Sequence, residues 1–201
     1  MADVKRPSPA AISAAVQAAA APLAVDRSSR AAVGLAYRLF FALRAARGER
    51  ARAVGALARY GPVDGLNRAI ALLDEAFATE SIPITALTDE EISAAHETAP
   101  PGRSSRREAG VFYTPPELAS ALAREACAAL RPEAHPTTVL DPACGTGAFL
   151  VATGDAFVEG GRGDWPDVAR RLHGWDIDPV AVEIARARGL KVVAIEAPVE
   201  D

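Results

Sequence analysis

The chain reads as an all-helical region followed by an α/β region built on an open parallel sheet. Three observations carry that reading. Val139-Leu140-Asp141 is an apolar run ending in an acid; it passes through Pro142-Ala143-Cys144-Gly145-Thr146-Gly147 into the apolar run Ala148-Phe149-Leu150. A second strand-like run ends in an acid again, at Trp175-Asp176-Ile177-Asp178-Pro179. Before Thr98 the hydrophobic pattern is helical throughout, with no alternating strand-like runs.

The helical region divides into segments predicted at about 10–21, 28–47, 49–59, 63–79 and 88–96, after a loose tail over 1–9. Leu35, Tyr37, Leu39, Phe40, Phe41 and Leu43 supply an apolar face to the second of these. Thr88 before Asp89-Glu90-Glu91 fits a capped helix start with acids in its first turn. Thr98 to Arg107, rich in Pro, Gly, Ser and Arg, is the predicted linker. The expected domains are therefore 1–106, helical, and 107–201, α/β.

In the second region Pro115 suits a first helical position, and Leu118, Ala121, Leu122, Ala126 and Leu130 fall on one face of the helix that follows. Thr138–Asp141 is the first expected strand, and the helix after it starts at Gly147. A glycine-rich turn over 159–164 and a short helix over 166–172 lead to a second strand, His173–Ile177. Asp178 is read as the cap of a helix over 179–188 that Gly189 stops. Lys191–Ile195 is the third strand. Repeated β-α-β order implies parallel strands with right-handed connections.

Glycine at 145 and 147 lets the backbone turn tightly and approach a ligand. A dinucleotide fingerprint needs a third glycine where Leu150 stands, and a P-loop needs a Lys that this loop lacks. A nucleoside cofactor without phosphates fits better. Asp141 would attract an ammonium and a sulfonium, and a carboxylate after strand two would accept from both ribose hydroxyls.

Upstream stands Gly110-Val111-Phe112-Tyr113-Thr114-Pro115-Pro116-Glu117. With this segment in front of the Asp-Pro-Ala-Cys-Gly-Thr-Gly loop and Asp-Ile-Asp-Pro behind it, the stretch of about 107–196 resembles the N6-adenine DNA methyltransferases of restriction–modification systems. The resemblance implies a Rossmann-like methyltransferase sheet, here partial, and S-adenosyl-L-methionine as cofactor. It also implies a role for each matching residue. Thr114, with Tyr113 beside it, would bind the carboxylate of the methionine part, and Asp141 would face its amino group. Ala143, Cys144, Gly145 and Gly147 would pass under the cofactor. Asp176 would bind the ribose hydroxyls, and Ile177 would pack on the adenine. Glu196 is a weak match to a third acidic motif and reads better as a surface acid.

The departure from the family is as informative. Its catalytic [D/N/S]-P-P-[Y/F] motif is missing: the two Pro-Pro pairs, Pro100-Pro101 and Pro115-Pro116, have the wrong neighbours. No catalytic residue is assigned. The expected protein is an adenine-N6 DNA methyltransferase or its cofactor-binding portion, ending before the catalytic motif. DNA is the expected partner, with the base-handling and target-recognition parts supplied by further segments or by a partner chain. Two alternatives stand beside it: a non-catalytic cofactor-binding or assembly subunit, and a methyltransferase acting on RNA or on protein glutamine.

Net charge is −4, with eight Arg and one acid between Arg27 and Arg59 but eight basic and fourteen acidic residues from Ala109 to Asp201. The basic stretch reads as a solvated or subunit-facing helix, or as a contact to phosphates. Cys127 and Cys144 read as reduced thiols of a cytoplasmic protein, with Cys144 a small residue under a ligand rather than a nucleophile. His96, His135 and His173 lack metal-ligand spacing, so no metal is expected. The apolar stretch from Ala10 to Val25 is broken by Ser13, Gln17 and Pro22, so no membrane span is expected either.

Overall fold

The computed structural model describes residues 6–24, 28–60, 63–78, 83–98, 113–130 and 138–195. The chain divides into two compact units, Met1–Val111 and Phe112–Asp201.

The first unit is helical. Among the described residues its α-helices are α1 (Pro9–Ala20), α2 (Ser29–Ala45), α3 (Arg50–Leu57), α4 (Val63–Ala78) and α5 (Asp89–Thr98). Caps set the starts. Ser8 Oγ accepts from Ala11 N–H at 3.2 Å and Ser28 Oγ from Ala31 N–H at 3.3 Å. At α5, Thr88 Oγ1 accepts from Glu91 N–H at 3.2 Å while Glu91 Oε2 accepts from Thr88 N–H at 2.8 Å, so each satisfies a donor of the other. Helix α2 buries Leu35, Tyr37, Leu39, Phe40, Phe41 and Leu43. Phe40 meets Phe77 of α4 edge-on at 5.6 Å, and Tyr37 meets the buried His96 of α5 at 5.7 Å. His96 is thus a packed core residue of the helical unit. Among the described residues no helix is long and apolar enough to cross a membrane.

The second unit contains α6 (Pro116–Ala129), β1 (Val139–Asp141), α7 (Ala148–Glu159), the short α8 (Trp165–Ala169), β2 (Leu172–Asp176), α9 (Pro179–Ala187) and β3 (Lys191–Ala194). The strands form one parallel sheet in the order β1-β2-β3. Asp141 pairs with Gly174, and Asp176 with Ala194. Alternation along each strand gives the sheet two unlike faces. Leu172, Gly174 and Val192 are buried; Leu172 and Val192 join Leu150 and Phe157 of α7 and Val182 and Ala185 of α9 in one core. Leu140, Trp175 and Val193, on the alternate positions, stay exposed.

Several expectations shift by a residue or more. Pro115 is the N-cap of α6, and Pro116 takes the first helical position. Strand β2 starts at Leu172, so α8 ends earlier than expected. Thr98 belongs to α5, where its hydroxyl donates to Ala94 O at 2.9 Å; the rest of the predicted linker and Glu196 lie outside the described residues. In α6 the leucine stripe is not the buried face. Leu118 and Leu122 are each 49% exposed, and the buried positions are Ala119 and Ala123, which cluster with Ala152 of α7. Alanine on both helices lets them approach closely, and that contact selects the small-residue face over the leucine face.

Candidate functional site

The C-terminal ends of β1 and β2 lie side by side and carry Asp141 and Asp176. In an open parallel sheet this edge is where ligands bind. The loop between β1 and α7 folds back onto β2, because Cys144 N–H donates to Trp175 O at 2.9 Å. Gly147 N–H closes the turn on Cys144 O at 2.8 Å. Gly147 then caps α7 at φ +90°, a conformation that L side chains rarely adopt.

Asp176 is the joint of this edge. Its Oδ2 accepts from Gly145 N–H at 2.7 Å and its Oδ1 from Asp178 N–H at 2.8 Å. Each carboxylate oxygen has two acceptor sites, so this engagement leaves capacity for further donors. Asp141 Oδ1 accepts from Ala143 N–H at 3.1 Å. Both acids are partly accessible, and Ala143 and Ile177 are exposed. Asp178 is spent on structure: its Oδ1 accepts from Val180 N–H at 2.9 Å and caps α9.

Cys144 registers the local field. Its thiol is buried, and burial together with the carboxylates of Asp176 and Asp141 pushes its pKa up to about 12. Burial, the larger cause, disfavours the thiolate there, and the two carboxylates add to it.

Tyr113 comes from upstream to the same loop. A Cβ placed on Gly145 would lie 3.3 Å from Tyr113 Cε1, so the ring rests on the glycine. Thr114, half-buried, is the next residue along the chain. Gly145 thus touches Tyr113 with one side and Asp176 with its N–H. The fold brings Tyr113, Asp141, Ala143, Cys144, Gly145, Gly147, Asp176 and Ile177 to one sheet edge, with Thr114 adjacent to Tyr113.

Two supports of the loop escaped sequence reasoning. Arg188, at the C-terminal end of α9, donates from Nη1 to Thr146 O at 3.2 Å. Gly174 makes room for the loop: a Cβ there would fall 2.7 Å from Cys144 Sγ and 2.5 Å from Val192 Cγ1. Arg188 had no spacing signal, since its contact spans 42 residues. Gly174 had a faint one, a lone glycine inside a strand, which marks a close backbone approach.

Residues 102–190 match the model of the N-6 DNA methylase family. The chain is 38% identical over 85 residues to the Type II methyltransferase M.VspI of Vibrio sp. (strain 343), a match covering 42% of this chain and 18% of that protein. The chain therefore spans less than a fifth of that relative. Among solved structures, the chain is similar to a Listeria monocytogenes protein described as a class I S-adenosylmethionine-dependent methyltransferase, at 14% identity and a TM-score of 0.42, over 94% of this chain and 52% of the other. It is also similar to a chain of the DrdV–DNA complex, at 19% identity and a TM-score of 0.42, over 88% of this chain and 20% of the other.

Proposed function

We propose that the methylase segment binds S-adenosyl-L-methionine at the C-terminal edge of its sheet and forms the cofactor-holding part of an adenine-N6 DNA methyltransferase. The observation that carries this reading is the pair of carboxylates, Asp141 and Asp176, at adjoining strand ends on either side of a positive-φ glycine loop. The Thr114 hydroxyl donates to the methionine carboxylate, and Asp141 accepts from the ammonium. Gly145 and Gly147 bring backbone close beneath the ligand. Asp176 accepts from the two ribose hydroxyls with its remaining acceptor sites, and the exposed Ile177 covers one face of the adenine. Tyr113, resting on Gly145, holds the upstream segment over the loop.

When bound, this cofactor supplies a methyl group activated by a positive sulfonium. The chain's part is to hold that cation in a negative field and to fix its orientation. Cys144 stays a thiol in that field and takes no nucleophilic role.

Isothermal calorimetry on the full chain tests the site. Asp176→Ala should lose at least tenfold in cofactor affinity, as removal of a charge-assisted acceptor implies. Because Asp176 also anchors the loop, Asp176→Asn is the sharper variant: it keeps an oxygen for Gly145 N–H but loses the charge. Unaltered affinity in both variants rejects the assignment.

A second reading takes the chain as a non-catalytic cofactor-binding subunit. Methyl incorporation from tritiated cofactor into duplex DNA by the chain alone would exclude it.

A further inference from the structure

We propose that the outer side of α2–α3 in the helical unit, centred on Arg38, Arg52, Arg59 and Tyr60, is a surface that contacts the phosphates of duplex DNA. The choice of duplex DNA rests on the methyltransferase reading above; the surface itself rests on charge and geometry.

Charge in this unit is sorted by element. Residues 28–60 contain seven Arg and one acid, Glu49, whereas 63–98 contain eight acids and one Arg, Arg68. Two of the seven arginines turn toward the acidic helices and are neutralised there: Arg44 pairs with Asp89 and Arg50 with Asp74. Arg52 and Arg59 are exposed, and among the described residues they make no ion pair. Helix α3 buries Ala53, Val54 and Leu57, which turns Arg52 outward. Arg59 follows seven positions later, two turns on, just past the helix end.

Tyr60 gathers the charge. The guanidinium of Arg38, from α2, lies 4.4 Å from the centre of its ring, and that of Arg59 lies 4.7 Å from it. Both guanidiniums hold the Tyr60 phenol below its ordinary pKa. The two guanidiniums thus share one aromatic platform. Stacking on the ring also restricts both side chains, so less conformational entropy is lost when an anion binds. The guanidinium fork matches phosphate oxygens in a bidentate way. A spread of three such groups across two helices suits a polyanion better than a single small anion.

The test uses the full chain, a labelled duplex of mixed sequence and a salt titration. Removing two phosphate contacts should flatten the slope of log K against log salt by about 2 in Arg38→Ala/Arg59→Ala. Arg52→Gln/Arg59→Gln, which alters only exposed side chains, should give a similar flattening, and it decides the matter if the first variant does not fold. Cofactor affinity by calorimetry should be unchanged in both pairs, which separates this surface from the sheet-edge site. Wild-type slope and affinity in a folded variant overturn the proposal. So does an acidic peptide, polyglutamate, that binds the wild-type chain as tightly as the duplex does.

Discussion

Asp176 shows how one side chain sets the geometry of a sheet edge. Its two oxygens already accept from Gly145 and Asp178 N–H groups, so the loop and the start of α9 are set around the carboxylate before any ligand arrives. Cys144 sits inside that arrangement and reports on it. An acid whose folded pKa is raised contributes stability below its unfolded value, about 9, and that contribution is lost as pH climbs toward 12. Between pH 7 and 9 the buried thiol therefore stays protonated. Iodoacetamide at pH 8 should modify native Cys144 about a thousandfold more slowly than the urea-unfolded chain, the ratio that a shift of about three units sets for the thiolate fraction. Peptide mapping separates it from Cys127, which is less buried and whose pKa is raised chiefly by burial. Comparable labelling of Cys144 in the native and unfolded chains would mean that the loop does not close over it.

At the scale of elements, the sequence was most legible where a local chemical rule acts alone. Thr88 and Glu91 announce the start of α5, Gly147 the entry to α7 and Asp178 the entry to α9, because capping needs only neighbours in the chain. The strand tips at Asp141 and Asp176 were legible for a similar reason: an apolar run, an acid and then small residues or proline leave few other conformations. For helix α6, periodicity gives the helix its faces but does not say which one is buried. Its leucine stripe is the more apolar, yet the alanine stripe wins by close packing on α7. The contacts of Arg188 with Thr146 and of Gly174 with Cys144 join positions far apart in the chain, and only the assembled sheet brings them together. The two acids at the strand ends could thus be placed in advance, whereas the residues that hold the loop in place could not.

At the scale of the whole molecule, the two tryptophans offer a selective probe. Trp165 and Trp175 are the only tryptophans in the chain, and both belong to the second unit. Trp175 lies in β2, directly before Asp176, and its carbonyl accepts from Cys144 N–H. Fluorescence therefore follows unfolding of the second unit, while far-ultraviolet circular dichroism is weighted by the helices of both units. A ligand that binds the folded form alone stabilises it by about 2.7 kcal/mol at a hundred times its Kd. S-adenosyl-L-methionine should accordingly raise the fluorescence-detected denaturation midpoint, and the rise should vanish in Asp176→Asn. NAD, whose pyrophosphate meets the field of Asp141 and Asp176, should leave the midpoint where it is. A shift with NAD and none with S-adenosyl-L-methionine would reinstate a dinucleotide at this sheet edge and remove the physical basis of the methyltransferase reading.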